Sequence, residues 1–328
     1  MYTEGMKTNV SKNPTISKAK QAYLLRCVQR GAIDKVKNIL KAGNIDVNDK
    51  DNSDGVTALH EAVRAGNIPI IKELLKYEAN IEARDPDDLT PLHFAVQNSL
   101  SYPHPNRSSH IDVVSLLLEN GANVHAVSNE EGYSVLHLCD VPEVFEYFLN
   151  LGLDINARNK TGQTPLYESV GIFGSLDMLR ILLRNGAQVN IQDANKESPL
   201  IQAIKYGPND LKKDLVSELL KHGANPITGW VKNITPLHIA AFNGLKDIIT
   251  ELLKFGAEVN SRNTHYETPL HLAVSVNEDT RKLIGSVEDH VTIVTELIKN
   301  GADINAFDEK GQSPIHFAME VPELAMVL

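Results

Sequence analysis

Histidine is the residue type that gives this sequence most scope for chemistry, because an imidazole can bind Zn²⁺ or act as a general base near neutral pH. The chain has twelve histidines, and six of them close a four-residue motif that begins with Thr or Ser. Those six are His60, His93, His137, His238, His271 and His316. A residue that recurs at one position of a repeated motif is expected to serve the structure of each copy. The pattern therefore predicts structural histidines.

The other ionisable residues form no recognisable catalytic or metal-binding motif. The remaining histidines are scattered, with no HExxH sequence and no Cys/His cluster: His104, His110, His125, His222, His265 and His290. No pair of carboxylates is placed by a motif for acid–base work, and no Walker loop, nucleophile elbow or kinase signature occurs. We therefore expect no catalytic residues, no metal and no cofactor, and we expect that the chain is not an enzyme.

Composition limits the classes of partner and compartment. The 328 residues carry a formal net charge of -10, which argues against nucleic acid and anionic membrane as partners, since both need clustered Lys and Arg. The two cysteines, Cys27 and Cys139, are too few for a disulfide framework and suit a reducing compartment as small buried side chains. No apolar run of about 18 residues and no secretory segment occurs. We expect a cytoplasmic protein, with the nucleus as the alternative.

The histidine motif belongs to a longer repeat. Two further copies lack only the histidine, Thr164-Pro-Leu-Tyr167 and Ser198-Pro-Leu-Ile201. The eight copies begin at residues 57, 90, 134, 164, 198, 235, 268 and 313, and we number the repeats one to eight in that order. A period of about 33 residues is typical of a solenoid built from stacked helical units. The period predicts the fold and indicates recognition rather than catalysis.

Repeat six shows most clearly how each unit is built. Thr235 is a good N-cap and Pro236 a good first helical residue, since the hydroxyl accepts a free backbone N–H and the proline ring presets φ. A second helix follows, with apolar residues at helical spacing, Ile248, Ile249, Leu252 and Leu253. Gly256 is predicted to end it as the residue after the C-cap. The same stop is predicted at Gly121, Gly152, Gly186, Gly223 and Gly301.

This pattern resembles the ankyrin-repeat family over about residues 19–328. The resemblance implies an all-α ankyrin-repeat solenoid of stacked helix-turn-helix units, with a β-turn finger before each pair of helices and a concave face formed by fingers and first helices. It also implies binding of a partner protein through that face. We expect residues 1–18 to be a disordered leader. Residues 19–328 are expected to form one domain, with an N-terminal capping unit, about seven further repeats and an incomplete last repeat.

Several segments depart from the repeat pattern. Residues 23–48 have the two-helix rhythm without the Thr-Pro start, which indicates the capping unit, and repeat three is short. The resemblance implies that the insertions at residues 99–109, 206–213 and 277–288 lie opposite the fingers, either as tolerated loops or as secondary contacts. The last repeat stops before its expected Leu and Gly, so we expect that the native chain continues past Leu328.

Charge on the predicted fingers changes along the chain. The early fingers are acidic, with Asp49, Asp51 and Asp54, then Asp85, Asp87 and Asp88, then Glu130 and Glu131. The later fingers carry Lys160, Lys196, Lys232 and Lys310. We expect Asp85, Asp87 and Asp88 to attract a basic segment of the partner and to speed its association. The alternative is that charged fingers only confer solubility.

The finger of repeat six is apolar where the other fingers are polar. It carries Trp230, Val231, Lys232 and Ile234, and Phe242 occupies a position of the following helix that the pattern leaves free. Aromatic and aliphatic residues clustered beside charge are typical of a binding hot spot, so these residues are predicted to bind protein. The alternative is that Trp230 fills a gap left by Pro226, which replaces the usual finger valine.

Two further hypotheses concern modification and overall role. Asn260 and Asn305 lie in sequences similar to the one in which the family's finger asparagine is hydroxylated; alternatively, they only hydrogen-bond within the finger. The chain as a whole is interpreted as a monomeric adaptor or scaffold whose protein partner is unknown. The alternatives are the targeting region of a longer regulatory or catalytic protein, and an effector of an intracellular microbe that mimics host repeats.

Overall fold

The regular structure of the protein is helical, and most helices come in pairs. A computed structural model describes residues 14–43, 45–50, 54–97, 110–128, 131–172, 174–275, 287–319 and 321–328. Their helices are α1 (Pro14–Gln29), α2 (Ile33–Lys41), α3 (Ala58–Arg64), α4 (Ile68–Lys76), α5 (Pro91–Val96), α6 (His110–Glu119), α7 (Val135–Leu138), α8 (Pro142–Asn150), α9 (Pro165–Glu168), α10 (Leu176–Arg184), α11 (Pro199–Tyr206), α12 (Lys212–Lys221), α13 (Pro236–Phe242), α14 (Lys246–Lys254), α15 (Pro269–Val274), α16 (Val287–Lys299), α17 (Pro314–Ala318) and α18 (Pro322–Ala325).

The first helix of each repeat begins directly after the Thr or Ser of the motif, which is its N-cap. In repeat six Thr235 has extended backbone, with φ -79° and ψ 164°, and its hydroxyl accepts the N–H of His238. The histidine ring in turn accepts the N–H of Thr235, which completes a capping box with histidine in the place usually taken by Glu or Gln. The motif therefore starts the helix by satisfying two backbone donors that the helix leaves free.

The second helices are amphipathic and end at the predicted glycines. Gly256 follows α14 with φ 90°, a conformation that favours glycine, and its N–H donates to Leu253 O at 3.1 Å. The next residue, Ala257, donates to Leu252 O at 2.9 Å, so the two bonds form a Schellman motif. The same pair of bonds ends four other second helices, at Gly121, Gly186, Gly223 and Gly301.

The chain divides into two compact units, Met1–Leu151 (unit 1) and Gly152–Leu328 (unit 2). Within each unit first helices pack against first helices and second helices against second helices, as α13 does on α15 and α12 on α14. The leucine of the motif fills the contact, and Leu237 and Leu270 are completely buried. The helix pairs confirm the predicted all-α ankyrin-repeat class. The domain boundaries at residues 18 and 19 stay a prediction.

The departures from the pattern are only partly described by the structure. Helix α1 begins at Pro14, within the stretch expected to be a leader, and it packs on α2 and α3 as the predicted capping unit requires. The insertion at residues 206–213 is a short connection between α11 and α12. The insertion at residues 99–109, and that at 277–288 up to residue 286, lie outside the described residues, as do Asp51 and Glu130.

Candidate functional site

Three of the motif histidines, His60, His238 and His271, lie at the contact between one first helix and the finger of the next repeat. His238 is buried, and its Nδ1 lies 3.2 Å from the amide nitrogen of Thr235. Its Nε2 lies 3.0 Å from the carbonyl oxygen of Glu267 in the next finger. Because an amide N–H donates to Nδ1, the ring proton is on Nε2 and is donated to that carbonyl. The same bridge is made by His60 to Leu89 and by His271 to Gln312, each at 3.2 Å.

Burial keeps these imidazoles neutral. It lowers the pKa of His60 and of His93 to about 4, and it lowers the pKa of His238 and of His271 as well. In His60, His238 and His271 one ring nitrogen contacts the backbone of its own repeat and the other contacts the backbone of the next finger, so neither is left to bind a ligand. In the described part of the chain, no three His, Cys, Asp or Glu side chains are grouped to hold a metal ion.

Each regular finger is shaped by one Asp or Asn side chain. In finger five, Asp193 Oδ1 accepts the N–H of Asn195 at 2.9 Å and that of Glu197 at 2.8 Å. Four other fingers have an Asp or Asn at the same position, five residues before the motif. Its side-chain oxygen accepts the N–H of the residue four positions later. These residues are Asp85, Asn159, Asn263 and Asp308. This side chain is therefore part of the turn and not of its outer surface.

The acidic residues of finger two consequently have different roles. Asp85 is the turn-forming residue, and it accepts the N–H of Leu89 at 2.7 Å. Its partial burial raises the pKa of this carboxyl. Asp88 pairs with Arg84 at 3.1 Å, and Arg84 also donates to Val127 O in the next finger. Asp87 is exposed. Of the three acids predicted to attract a partner, two are engaged by the finger itself.

Replacing Asp85 by alanine is expected to lower the free energy of unfolding by about 1–2 kcal/mol, because the Leu89 N–H loses its acceptor inside a half-buried turn. Asp87→Ala, in the same finger, is the matched control and is expected to change that free energy by less than about 0.5 kcal/mol. Urea denaturation of both variants measures the difference. Equal losses would show that the turn does not depend on Asp85.

Finger six lacks the turn-forming side chain, because Trp230 occupies its position. The backbone N–H of Trp230 still donates to Ile234 O at 2.8 Å, as in the regular fingers. Because no Asp or Asn side chain is present at this position to accept it, the N–H of Ile234 makes only a long contact, 3.4 Å, to Val231 O. Residues Val231–Asn233 form a short 3-10 turn in which Lys232 has φ 59° and Asn233 has φ 57°. Finger six therefore has its own turn geometry.

The Trp230 side chain is held by a network of three residues that sequence reasoning missed. The ammonium nitrogen of Lys205, on α11, lies 3.7 Å from the centroid of the indole ring. Lys205 forms an ion pair with Glu197 of finger five, and Glu197 Oε2 accepts the hydroxyl of Tyr167 at 3.0 Å. Burial raises the pKa of Tyr167. The feature of the sequence that could have indicated this network is Tyr167, which stands where six other copies of the motif have histidine.

The predicted binding residues of repeat six divide into a supported base and an exposed tip. Trp230, Ile234 and Phe242 are half-buried, whereas Val231 is 48% exposed and Lys232 is exposed. The Trp230 Nε1 atom is buried and has no hydrogen-bond partner among the described residues. The structure thus brings the five residues into one repeat, with Val231 and Lys232 alone fully at the surface.

The two asparagines considered for hydroxylation differ in environment. Asn260 bridges to the next repeat, where its Nδ2 donates to Gly301 O at 2.9 Å and its Oδ1 accepts the N–H of Asp303 at 2.8 Å. Asn305 is exposed, and its amide N–H donates to Asp303 Oδ1. Hydroxylation of either residue stays a prediction.

The period, the helix pairs and the finger geometry define a repeat protein built from stacked helix-turn-helix units. The family model described as ankyrin repeats in three copies matches residues 24–128, 139–229 and 212–285, and the model of the single ankyrin repeat matches residues 265–309. The chain therefore belongs to the ankyrin-repeat family, as its sequence pattern predicted.

The chain is similar to proteins whose names differ widely. A putative palmitoyltransferase of Danio rerio is 29% identical over 209 residues, which are 62% of this chain and 30% of the relative. The B-cell lymphoma 3 protein homolog of Mus musculus is 30% identical over 206 residues, 59% of this chain and 42% of the relative. A putative ankyrin repeat protein of fowlpox virus is 29% identical over 166 residues, 49% of this chain and 46% of the relative. The chain thus spans less than half the length of these relatives.

Ankyrin repeats indicate a protein-interaction module, which agrees with the class of function predicted from the repeat. No helix of the described residues has the length and apolar character needed to cross a membrane.

Both cysteines are free thiols and buried, and burial raises the pKa of Cys139 to about 12. At neutral pH that thiol is protonated.

Proposed function

We propose that this protein is a non-enzymatic, monomeric adaptor or scaffold that binds a partner protein through the fingers and first helices of unit 2, in the cytoplasm or the nucleus. The observation that supports it is the exposed tip of finger six. Val231 is 48% exposed and is followed by the exposed Lys232. The residue before them, Trp230, is held in place by its contact with Lys205. A rigid apolar residue next to charge is typical of the centre of a binding surface.

Apolar exposure continues on the neighbouring fingers of unit 2. Tyr266 in finger seven is 55% exposed, and Phe307 in finger eight is 56% exposed. Large apolar side chains at successive fingers are more than scattered surface hydrophobicity, because the regular repeat places polar residues in these turns. The surface suits a partner that contacts several fingers at once.

Val231→Asp is expected to abolish capture of the partner, because it places a desolvated charge at the centre of the contact. Ile172→Asp is the matched control, since Ile172 is 67% exposed in unit 2 but lies in the segment between α9 and α10, outside the fingers. Tagged wild type and both variants, checked for equal thermal stability, are used as baits in quantitative affinity capture from cells. Proteins retained equally by all three baits would contradict the proposed surface.

A second candidate function is the targeting region of a longer regulatory or catalytic protein. It is supported by relatives of which this chain covers a minor part: 30% of the putative palmitoyltransferase, 20% of a probable serine/threonine-protein kinase of Dictyostelium discoideum and 11% of an E3 ubiquitin-protein ligase of Arabidopsis thaliana. The intact mass of the natural protein distinguishes the two candidates. A mass equal to that of this chain would contradict the second.

A further inference from the structure

Neighbouring fingers of unit 2 are joined at their tips by a backbone hydrogen bond. The N–H of Ala194 in finger five donates to Thr161 O in finger four at 2.8 Å. The corresponding bonds join finger seven to finger six, Thr264 N to Lys232 O at 2.9 Å, and finger eight to finger seven, Glu309 N to His265 O at 2.9 Å. These bonds form a ladder along the finger tips.

The ladder is interrupted between fingers five and six. The equivalent donor is the N–H of Val231 and the equivalent acceptor is the carbonyl of Asn195, and among the described residues neither has a hydrogen-bond partner. The interruption coincides with Trp230, which replaces the turn-forming Asp or Asn and changes the turn that carries Val231. The two repeats remain joined just before these fingers, because Asn190 Oδ1 accepts the N–H of Asn225 at 2.8 Å.

A groove opens where the tips separate. Its volume is about 560 Å³, and it is lined by residues 194–196 of finger five, residues 229–233 of finger six and Thr264. Lys196 and Lys232 are exposed, each at the left-handed turn of its finger, with φ 64° and 59°. The groove therefore combines an unpaired backbone donor and acceptor with two positive charges.

The carboxylates near the groove are already engaged within the fold. Glu197 pairs with Lys205 and accepts the Tyr167 hydroxyl, and Asp193 is held inside its turn. Glu267 Oε2 accepts the side-chain amide of Asn263 at 2.7 Å. Lys196 and Lys232 have no ion-pair partner among the described residues, so the exposed charge of the groove is positive although the chain is acidic as a whole.

We propose that this groove binds an extended, acidic segment of the partner protein that carries apolar side chains between its carboxylates. The segment replaces the missing rung, with one of its carbonyls accepting the Val231 N–H and one of its N–H groups donating to the Asn195 carbonyl. Its carboxylates pair with Lys196 and Lys232, and an apolar side chain packs on Val231. The inference rests on the proposed function and names the chemistry of the partner at that surface.

Val231→Pro removes the proposed backbone donor at little structural cost. Val231 is the first residue of the 3-10 turn, and Trp230 before it has φ -87° and ψ -163°, a conformation compatible with a following proline. Val231→Ala trims the side chain but keeps the N–H, so it is the matched control. The probe is a fluorescein-labelled, end-blocked peptide of alternating glutamate and valine. Val231→Pro is expected to weaken its binding about fivefold more than Val231→Ala does, as measured by fluorescence anisotropy.

The charge contribution is tested with the same peptide. Lys196→Glu combined with Lys232→Glu is expected to weaken binding at least about tenfold and to remove its salt dependence. Lys310→Glu, on the exposed tip of finger eight, is the control and is expected to leave binding unchanged. A peptide of alternating lysine and valine is expected not to bind.

Three outcomes would overturn the inference: no binding of the acidic peptide, equal effects of Val231→Pro and Val231→Ala, or equal effects of Lys310→Glu and the double variant. If one of these occurs while Val231→Asp still abolishes capture of the natural partner, the proposed function stands and only the chemistry assigned to the groove is wrong. If the peptide results hold and capture is unaffected, the proposed function is wrong.

Discussion

Lys205→Ala is expected to lower the free energy of unfolding by about 3 kcal/mol or more, the largest loss that we anticipate from one substitution outside the apolar core. The side chains of Lys205 and Glu197 are only 15% and 8% exposed, so truncating the lysine leaves a buried carboxylate with the Tyr167 hydroxyl as its remaining partner. The Trp230 indole loses its cation as well. Thermal and urea denaturation measure the loss.

A double-mutant cycle separates the pair from simple loss of packing. The cycle consists of Lys205→Met, Glu197→Gln and the two combined; Glu197→Gln removes the charge that Lys205 neutralises, and the double variant replaces the ion pair by uncharged groups of similar size. We expect the double variant to be clearly more stable than the sum of the single losses predicts, since neither charge is left unpaired. Additive losses would show that the two side chains do not interact.

Acid is expected to destabilise unit 1 strongly between about pH 6.5 and pH 4. The pKa of His60 and of His93 is lowered to about 4 by burial, while the unfolded chain has a histidine pKa of about 6.5. In this range the unfolded state binds more protons, so stability falls as the pH falls and is regained as the pH rises. A shift of this size corresponds to about 3 kcal/mol for each histidine at pH 4.

Glutamine tests whether the two histidines cause this dependence. In His60→Gln and His93→Gln the side chain does not titrate, and Gln at this position of a capping box can still accept the N-cap N–H. We expect the double variant to be less stable than wild type at pH 7 but to lose markedly less stability on acidification, as measured by urea denaturation monitored by circular dichroism. A parallel pH dependence of both proteins would show that the acid sensitivity arises from other groups.

Sequence reasoning predicted what depends on neighbours along the chain. Thr235 and Pro236 start a helix, and Gly256 ends one, through contacts within about four residues, so their types and order are sufficient evidence. The period then implies stacking, because a lone helix pair cannot bury its apolar side. These local rules account for the fold class and for most helix boundaries.

The details of the site were less accessible because they depend on contacts between repeats. Tyr167, Glu197, Lys205 and Trp230 lie in four separate elements, and no spacing rule specifies that a lysine near the end of one helix reaches the finger of another repeat. Composition showed that finger two is acidic, but it did not show that Asp85 and Asp88 are bound within it. A residue that breaks the repeat pattern, such as Tyr167, was the one usable signal.

The hydrogen bonds of the motif histidines make the two sides of a repeat different. His60, His238 and His271 each donate a hydrogen bond to a backbone carbonyl in the next finger along the chain. A repeat therefore has a donating side and an accepting side, which are not interchangeable. Modules could be exchanged or duplicated in the same orientation as long as each donor meets a carbonyl. A reversed repeat would bring two donors or two acceptors together at the buried contact, so these bonds favour head-to-tail order of the repeats.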